Sequence, residues 1–105
     1  MAPLTRTAVP MLPQSLIFLD LETTGITATH DRITEIGLVE VANGEFVGSW
    51  SQLVNPEKSI PPFIQSLTGI SNDMVQDAPT FEQLAPELFE RLEGKVLIAH
   101  NARFD

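Results

Sequence analysis

Residues Ser15–Gly25 read SLIFLDLETTG, and this stretch decides how the rest of the chain is organised. The apolar run predicts a β-strand from Leu16 to Glu22, in which alternate side chains share a face. Asp20 and Glu22 then lie side by side at the carboxyl end of that strand. Because both faces are apolar for most of their length, we expect a central strand that is buried on both sides.

The two carboxylates at the end of this strand are the first candidate functional residues. Like charges at the edge of an apolar core raise each other's pKa or require a compensating cation. A hard divalent metal is the natural cation for paired oxygen ligands. The alternative is that the strand end emerges into water and that both carboxylates are merely solvated. The strand alone leaves both readings open.

The composition fits one small domain. The chain has 105 residues, of which 43% are hydrophobic, and this is enough for a single packed core. Its 14 acidic residues outnumber 6 basic ones, and the net charge of −8 argues against a basic nucleic-acid-binding surface. An enzyme that holds a nucleic acid through bound metals is not excluded by this charge. The chain contains no cysteine, so disulfides and thiolate metal sites are excluded.

The apolar runs of the sequence are too short for a membrane span or the apolar core of a signal peptide. We therefore expect a cytoplasmic protein with no membrane partner. Residues 1–14 contain three prolines and no periodicity, which indicates a flexible leader. Residues 15–105 are interpreted as the N-terminal part of one domain. Gly25 is expected to permit a turn at positive φ after the first strand.

The segments that follow predict an α/β fold. Two strands, Ile33–Val41 and Phe46–Val54, flank an Asn-Gly pair, which is the strongest short hairpin signal. Short helices are expected after the prolines at 61 and 62 and after the serine at 71. A longer amphipathic helix begins at Thr80 and carries an apolar stripe at helical spacing, with Pro86 expected to kink or delay it. A strand at Lys95–Ala99 is expected to be buried on both faces.

This order of elements predicts a mixed sheet. The second and third strands would form an antiparallel edge, and the fourth would run parallel beside the first. In that arrangement Asp105, one helical turn beyond the fourth strand, approaches Asp20 and Glu22. The sequence therefore predicts three carboxylates at one end of the sheet.

Three segments resemble the DEDD family of 3′–5′ exonucleases. FLDLETTG at 18–25 resembles the first motif of that family, and LIAHNARFD at 97–105 resembles the second. LTGI at 67–70 resembles the segment between them that lines the nucleotide pocket. A DxE on a strand is weak evidence by itself, but its combination with AHNARFD is specific. The chain looks most similar to the proofreading (epsilon) subunits of bacterial DNA polymerase III and to exonuclease domains fused to repair modules.

The resemblance implies an RNase H-like fold and a site that holds two Mg²⁺ or Mn²⁺ ions. Asp20, Glu22 and Asp105 match three of the family's four metal-binding catalytic carboxylates. One ion would orient and activate the attacking water, and the other would stabilise the leaving 3′ oxygen. Such ions would also reconcile an acidic protein with a polyanionic substrate.

The resemblance also implies substrate contacts within the three motifs. The backbone around Thr23 and Thr24 resembles the part of the family that meets the terminal nucleotide. The side chains of Leu67 and Phe104 resemble those that pack against the last bases. Ordinary core packing is the alternative for Phe104, and a structural hydrogen bond is the alternative for His100. The substrate-binding candidates are Thr23, Thr24, Gly25, Leu67, His100, Asn101 and Phe104.

The family completes its site with a third motif, His-x4-Asp, further along the chain. That histidine is the general base for the attacking water, and that aspartate is the fourth metal ligand. This sequence ends at Asp105, so we expect a truncated domain that is inactive or nearly so by itself. The resemblance favours the 3′ end of single-stranded DNA as substrate, in proofreading or repair, with a DNA polymerase or repair subunit as a potential partner.

Three other functions compete with this one. A haloacid-dehalogenase-like phosphatase would need DxDxT at the strand end, and the second acid here is a glutamate. An exoribonuclease of the RNase T or oligoribonuclease type would keep the same motifs, so the motifs do not separate RNA from DNA. A non-catalytic interaction module, whose sheet is completed by another chain, would present an exposed sheet edge.

Overall fold

The computed structural model describes residues 15–27 and 29–99, so the predicted leader at 1–14 lies outside the described part. Within these ranges the chain forms four strands and three helices. The strands are β1 (Ser15–Thr23), β2 (Ile33–Ala42), β3 (Glu45–Leu53) and β4 (Val96–Ala99). The helices are α1 (Pro62–Thr68), α2 (Asn72–Val75) and α3 (Phe81–Leu92).

The strands form one mixed sheet in the order β3-β2-β1-β4. Strand β1 pairs antiparallel with β2 and parallel with β4, and β2 pairs antiparallel with β3. The predicted α/β class, the antiparallel edge and the parallel position of β4 are therefore confirmed. This order places β1, with its two carboxylates, in the interior of the sheet between β2 and β4.

The β2–β3 connection is the predicted Asn-Gly hairpin. Asn43 has a φ of 53° and Gly44 a φ of 79°, so both central residues take left-handed conformations. These values are typical of the type I′ turn, whose twist matches that of the flanking strands. The turn sets the pairing of Ala42 with Glu45, and one extra residue of β3 between Phe46 and Gly48 shifts the register further along the strands.

Each helix begins where the sequence predicts. Helix α1 has proline at its first position and ends at Gly69, whose φ is 77° and whose N–H donates to the Gln65 carbonyl over 2.8 Å. Helix α3 begins with a capping box, in which Thr80 Oγ1 accepts from the Gln83 N–H at 3.2 Å and Gln83 Oε1 accepts from the Thr80 N–H at 3.0 Å. Pro86 lies inside α3, and the helix continues past it to Leu92.

The core lies between the sheet and α3. Ile17, Leu19 and Leu21 of β1 point to this side and are buried, as is Ile36 of β2. Leu84 of α3 packs against them, and further leucines of the same helical stripe add to the cluster. Alternate residues of β1 thus fill one continuous apolar layer.

The expectation that β1 and β4 are buried on both faces is wrong for the residues that the structure describes. Phe18 is 42% exposed on β1, and the three apolar residues Val96, Leu97 and Ile98 of β4 are between 42% and 47% exposed. Burial needs an element packed on each face, and in this part of the chain α3 covers only the Ile17 side of β1. Apolar composition predicted the strands but not what covers them.

None of the helices in the described ranges is long and apolar enough to cross a membrane.

Candidate functional site

Asp20 and Glu22 lie on the open face of β1, as the alternation of the strand predicts. Asp20 is exposed and Glu22 is partly buried. Asp20 lies opposite Gly37 of β2, so no side chain of that neighbour covers the carboxylate. An open groove of about 670 Å³ runs over this face, and its lining includes Phe18, Asp20, Gly37, Val39, Ser51 and Ile98. The groove brings apolar surface and a carboxylate to one place.

A third acidic residue, Glu35, lies directly opposite Glu22 on the neighbouring strand. Burial raises the pKa of the Glu22 carboxyl, and the negative charges of Asp20 and Glu35 raise it further. Like charges directly opposite each other on a sheet are destabilising. The sequence did not point to Glu35, because its position opposite Glu22 depends on the register between two separate strands.

The arrangement suits a divalent cation. A cation bound by Asp20 and Glu22 would favour their charged forms and offset the mutual repulsion of the carboxylates. Within residues 15–27 and 29–99, however, no cluster of three metal-binding side chains is assembled. The predicted third ligand, Asp105, lies outside the described residues, and so do the substrate-binding candidates His100, Asn101 and Phe104.

The regular pairing of β1 with β2 is interrupted directly after the second carboxylate. Glu22 pairs with Glu35, but Thr23 pairs with Ile33, so Thr34 has no partner position on β1. β-Bulges of this kind are frequent next to active sites, because they redirect the chain at the end of a ladder. Here the bulge separates the carboxylate-bearing strand from the turn predicted to meet a nucleotide.

The turn after β1 is held by internal hydrogen bonds. Thr24 is 1% exposed, and its hydroxyl donates to Asp31 Oδ1 at 2.8 Å while accepting from the Arg32 N–H at 3.0 Å. The Thr24 N–H donates to the Arg32 carbonyl at 2.8 Å. The Thr23 hydroxyl donates to the Gly25 carbonyl. The hydroxyl and the backbone N–H of Thr24 thus both donate to groups within the protein. Thr24 would therefore contribute to a binding site by holding the turn in place.

The expected positive φ at Gly25 is wrong: the described glycines with positive φ are Gly44, Gly69 and Gly94. Gly25 is required by space instead. A Cβ at this position would lie 2.4 Å from Asp31 Oδ2 and 2.7 Å from Oδ1, which is closer than side chains approach each other. The carboxylate of Asp31 therefore packs against the Gly25 backbone.

Leu67, the remaining candidate within the described residues, lies near the end of α1. It is 70% exposed, and Phe63, four residues earlier on the same helix, is 73% exposed. Residues four apart share a helical face, so the two side chains form an apolar surface that is open to a ligand. A contact between Leu67 and a nucleotide stays a prediction.

The chain is similar to known nucleases over most of its length. The model of the Exonuclease family, named for RNase T, matches residues 17–105. The PolC-type DNA polymerase III of Caldanaerobacter subterraneus is 44% identical over 94 residues, which are 90% of this chain. The 3′–5′ exonuclease DinG of Bacillus subtilis is 44% identical over 96 residues, also 90% of this chain.

The fold is similar to that of a solved nuclease. Exonuclease X, in a complex with 5′ overhanging duplex DNA, matches with a TM-score of 0.73 and 34% identity over 86% of this chain. The chain spans 51% of that protein, 7% of the PolC-type polymerase and 10% of DinG. The similarity therefore concerns one region of much longer proteins.

Proposed function

We propose a function for this chain from the family to which it belongs, the Exonuclease family: it forms the carboxylate-bearing part of a 3′–5′ exonuclease domain. The observation that carries the proposal is the placement of Asp20 and Glu22 on one face of β1, beside an open groove. The substrate would be the 3′ end of a nucleic acid, and the reaction would be hydrolysis of its last phosphodiester bond.

In this proposal Asp20, Glu22 and Asp105 hold Mg²⁺ or Mn²⁺. Two bound ions would supply charge neutralisation at the scissile phosphate and at the leaving 3′ oxygen. Gly37 leaves the space above Asp20 free, and the bonded turn at Thr23–Gly25 fixes the backbone that meets the terminal nucleotide. Leu67 and Phe104 would contact the last bases without selecting among them.

The relatives support DNA as the substrate class, since one is named as a DNA polymerase III and a solved neighbour is bound to DNA. We propose that the 3′ end is single-stranded, and that the domain acts in proofreading or repair in the cytoplasm, beside polymerase or repair subunits. Residues 1–105 alone are proposed to have little or no activity, because the resemblance assigns the general base and a fourth carboxylate to a third motif.

The test uses the complete protein in which these residues occur, with 3′-labelled single-stranded DNA and RNA of one sequence and Mg²⁺ or Mn²⁺. We expect metal-dependent removal of 3′ nucleotides from DNA. Asp20→Asn should reduce the rate by more than about 100-fold, since outer-shell partners of metal ligands alone are worth 10–100-fold. Asp77→Asn, an exposed aspartate of the segment after α2, is the matched control and should leave the rate unchanged.

The outcomes separate the competing functions. Faster turnover of RNA would replace DNA exonuclease by exoribonuclease activity. Activity that is equal in the wild type and in Asp20→Asn would contradict the proposed site. Metal-dependent activity of residues 1–105 alone would contradict the proposed need for the third motif. No turnover of either nucleic acid, together with self-association, would favour the interaction module.

A further inference from the structure

The loop between β1 and β2 contains an acidic residue, Asp31, for which the sequence motifs assign no role. We propose that Asp31 is a positioning residue, which fixes the turn after Glu22 and joins it to the segment that leads into α1. In this way it would set the nucleotide-contacting groups relative to Asp20 and Glu22. This inference rests on the proposed nuclease function of the same site.

The first observation is that the Asp31 carboxylate binds the turn from two sides. Its Oδ1 accepts from the Thr24 hydroxyl at 2.8 Å, and its Oδ2 accepts from the Thr27 N–H at 3.0 Å. The Asp31 side chain is 15% exposed. Hydrogen bonds to an ionised acceptor are roughly twice as strong as neutral ones. The two bonds therefore fix both ends of the Thr24–Thr27 turn to one carboxylate.

The second observation is the contact with Gly25. A Cβ at Gly25 would overlap both carboxylate oxygens of Asp31, the nearer at 2.4 Å. The Asp31 carboxylate thus occupies the space that a side chain at Gly25, the last residue of the first motif, would need. A side chain at position 25 would therefore displace the Asp31 carboxylate from its bonds to Thr24 and Thr27.

The third observation links this loop to the segment before α1. Lys58 Nζ lies 3.6 Å from Asp31 Oδ1 and donates to the His30 carbonyl at 2.8 Å. Arg32 and Glu57 form a second ion pair between the same two segments, at 3.3 Å. Exposed ion pairs are worth little individually, so the Lys58 contact should contribute less than the bonds to the turn. Together they tie residues 57 and 58, in the segment that leads into α1, to the loop that follows the carboxylates.

The carboxylates themselves are held by a different part of the structure. Asp20 and Glu22 belong to the ladder between β1 and β2, where they pair with Gly37 and Glu35. A change at Asp31 should therefore loosen the turn and leave the metal-binding strand in place. This separation predicts that loss of Asp31 weakens nucleic-acid binding and spares metal affinity.

The experiment compares Asp31→Ala, Asp31→Asn and Lys58→Met with the wild type in the complete protein, with Asp77→Asn as control. The measurements are KM and kcat on single-stranded DNA with Mn²⁺, Mn²⁺ affinity by electron paramagnetic resonance, and the melting temperature. Asp31→Ala should raise KM about tenfold, the loss expected for one charge-assisted hydrogen bond. Its kcat and Mn²⁺ affinity should stay within about twofold of the wild type, because the strand ladder is unchanged.

The other two variants should raise KM by less than Asp31→Ala does. Asp31→Asn keeps one oxygen for Thr24 and should lie between Asp31→Ala and the wild type. Lys58→Met should raise KM by no more than about threefold, as expected for an exposed ion pair. Asp77→Asn should change nothing.

Two results would overturn the proposal while leaving the nuclease function standing. One is an unchanged KM in both Asp31 variants of an active enzyme. The other is a joint loss of Mn²⁺ affinity, kcat and KM in proportion to a lower melting temperature, which would make Asp31 a general scaffold residue. A wild-type protein without activity would overturn the proposed function and this inference with it.

Discussion

The two faces of β1 differ sharply in how far they are buried. On one face, Ile17, Leu19 and Leu21 are between 2% and 8% exposed and lie under α3. On the other face, Phe18 is 42% exposed, and Asp20 follows it on the same face of the strand. One strand of nine residues thus supplies both the core and the candidate site, because its side chains alternate.

This difference separates stability from chemistry. Residues on the closed face are held by packing from the sheet and from a helix, whereas carboxylates on the open face repel one another and gain little from the fold. A cation or a substrate can reach the open face without disturbing the core. Substitutions at neighbouring residues of β1 should therefore act on different properties. Those on the closed face should change stability, and those on the open face should change the binding of a cation or a substrate.

The largest expected effect contrasts two adjacent residues. Leu19→Ala should lower the free energy of unfolding by about 2–5 kcal/mol, because it leaves a cavity under α3. Phe18→Ala should lower it by less than about 1.5 kcal/mol, since nearly half of that side chain is already in water. Urea unfolding of the two variants measures both values. Equal losses would show that the open face is packed in solution.

A smaller effect is expected where the ladder of the open face ends. Gly25→Ala should cost about 1–3 kcal/mol, because its Cβ would overlap the Asp31 carboxylate and displace it from its bonds to Thr24 and Thr27. Gly48→Ala is the matched control, since a Cβ there meets nothing within 4 Å and its φ is not positive. That control should change stability by less than about 0.5 kcal/mol. A neutral Gly25→Ala would contradict the close packing of the turn.

Much of this arrangement could be predicted from sequence, because it depends on short-range signals. Alternation placed Asp20 and Glu22 on one face, and the Asn-Gly pair fixed the hairpin. Features that depend on contacts between distant segments could not be predicted. Glu35 faces Glu22 only through strand register, and Asp31 meets Gly25 only when the loop closes. The apolar faces of β1 and β4 indicated strands, but no local signal showed which side α3 would cover.

Asp31 and Glu22 should affect stability oppositely as the pH changes. The Thr24 hydroxyl, the Thr27 N–H and the Lys58 charge lower the pKa of Asp31, so its stabilisation is present above the ordinary aspartate pKa and is lost as pH falls through the folded-state value. Burial and neighbouring negative charge raise the pKa of Glu22, so stability falls as pH rises through the interval above the ordinary value of 4.5.

Accordingly, Asp31→Asn should be less stable than the wild type at about pH 7, with a gap in the free energy of unfolding that narrows as the pH falls below the ordinary aspartate pKa of 3.8. Glu22→Gln should be more stable than the wild type at neutral pH, with a gap that closes below the ordinary glutamate pKa of 4.5. Urea unfolding across this range, with EDTA to remove metal, measures both gaps. Shifts of the same sign in the two variants would contradict the assignment of the two environments.

The smallest expected effect concerns Thr34 of β2, which lies two residues before the buried Ile36 and so on the closed side of the sheet. This residue is 1% exposed at the β-bulge, and within the described part of the chain its Oγ1 has no hydrogen-bond partner. A buried hydroxyl without a partner costs free energy, and valine has nearly the same shape. Thr34→Val should therefore raise the free energy of unfolding by up to about 1 kcal/mol.

Thr24→Val is the counterpart, because the equally buried Thr24 hydroxyl both donates to Asp31 and accepts from the Arg32 N–H. It should lower stability by about 1–2 kcal/mol. If both substitutions destabilise equally, the Thr34 hydroxyl has a partner in solution, and the closed face is not purely a packing surface at the end nearest the carboxylates.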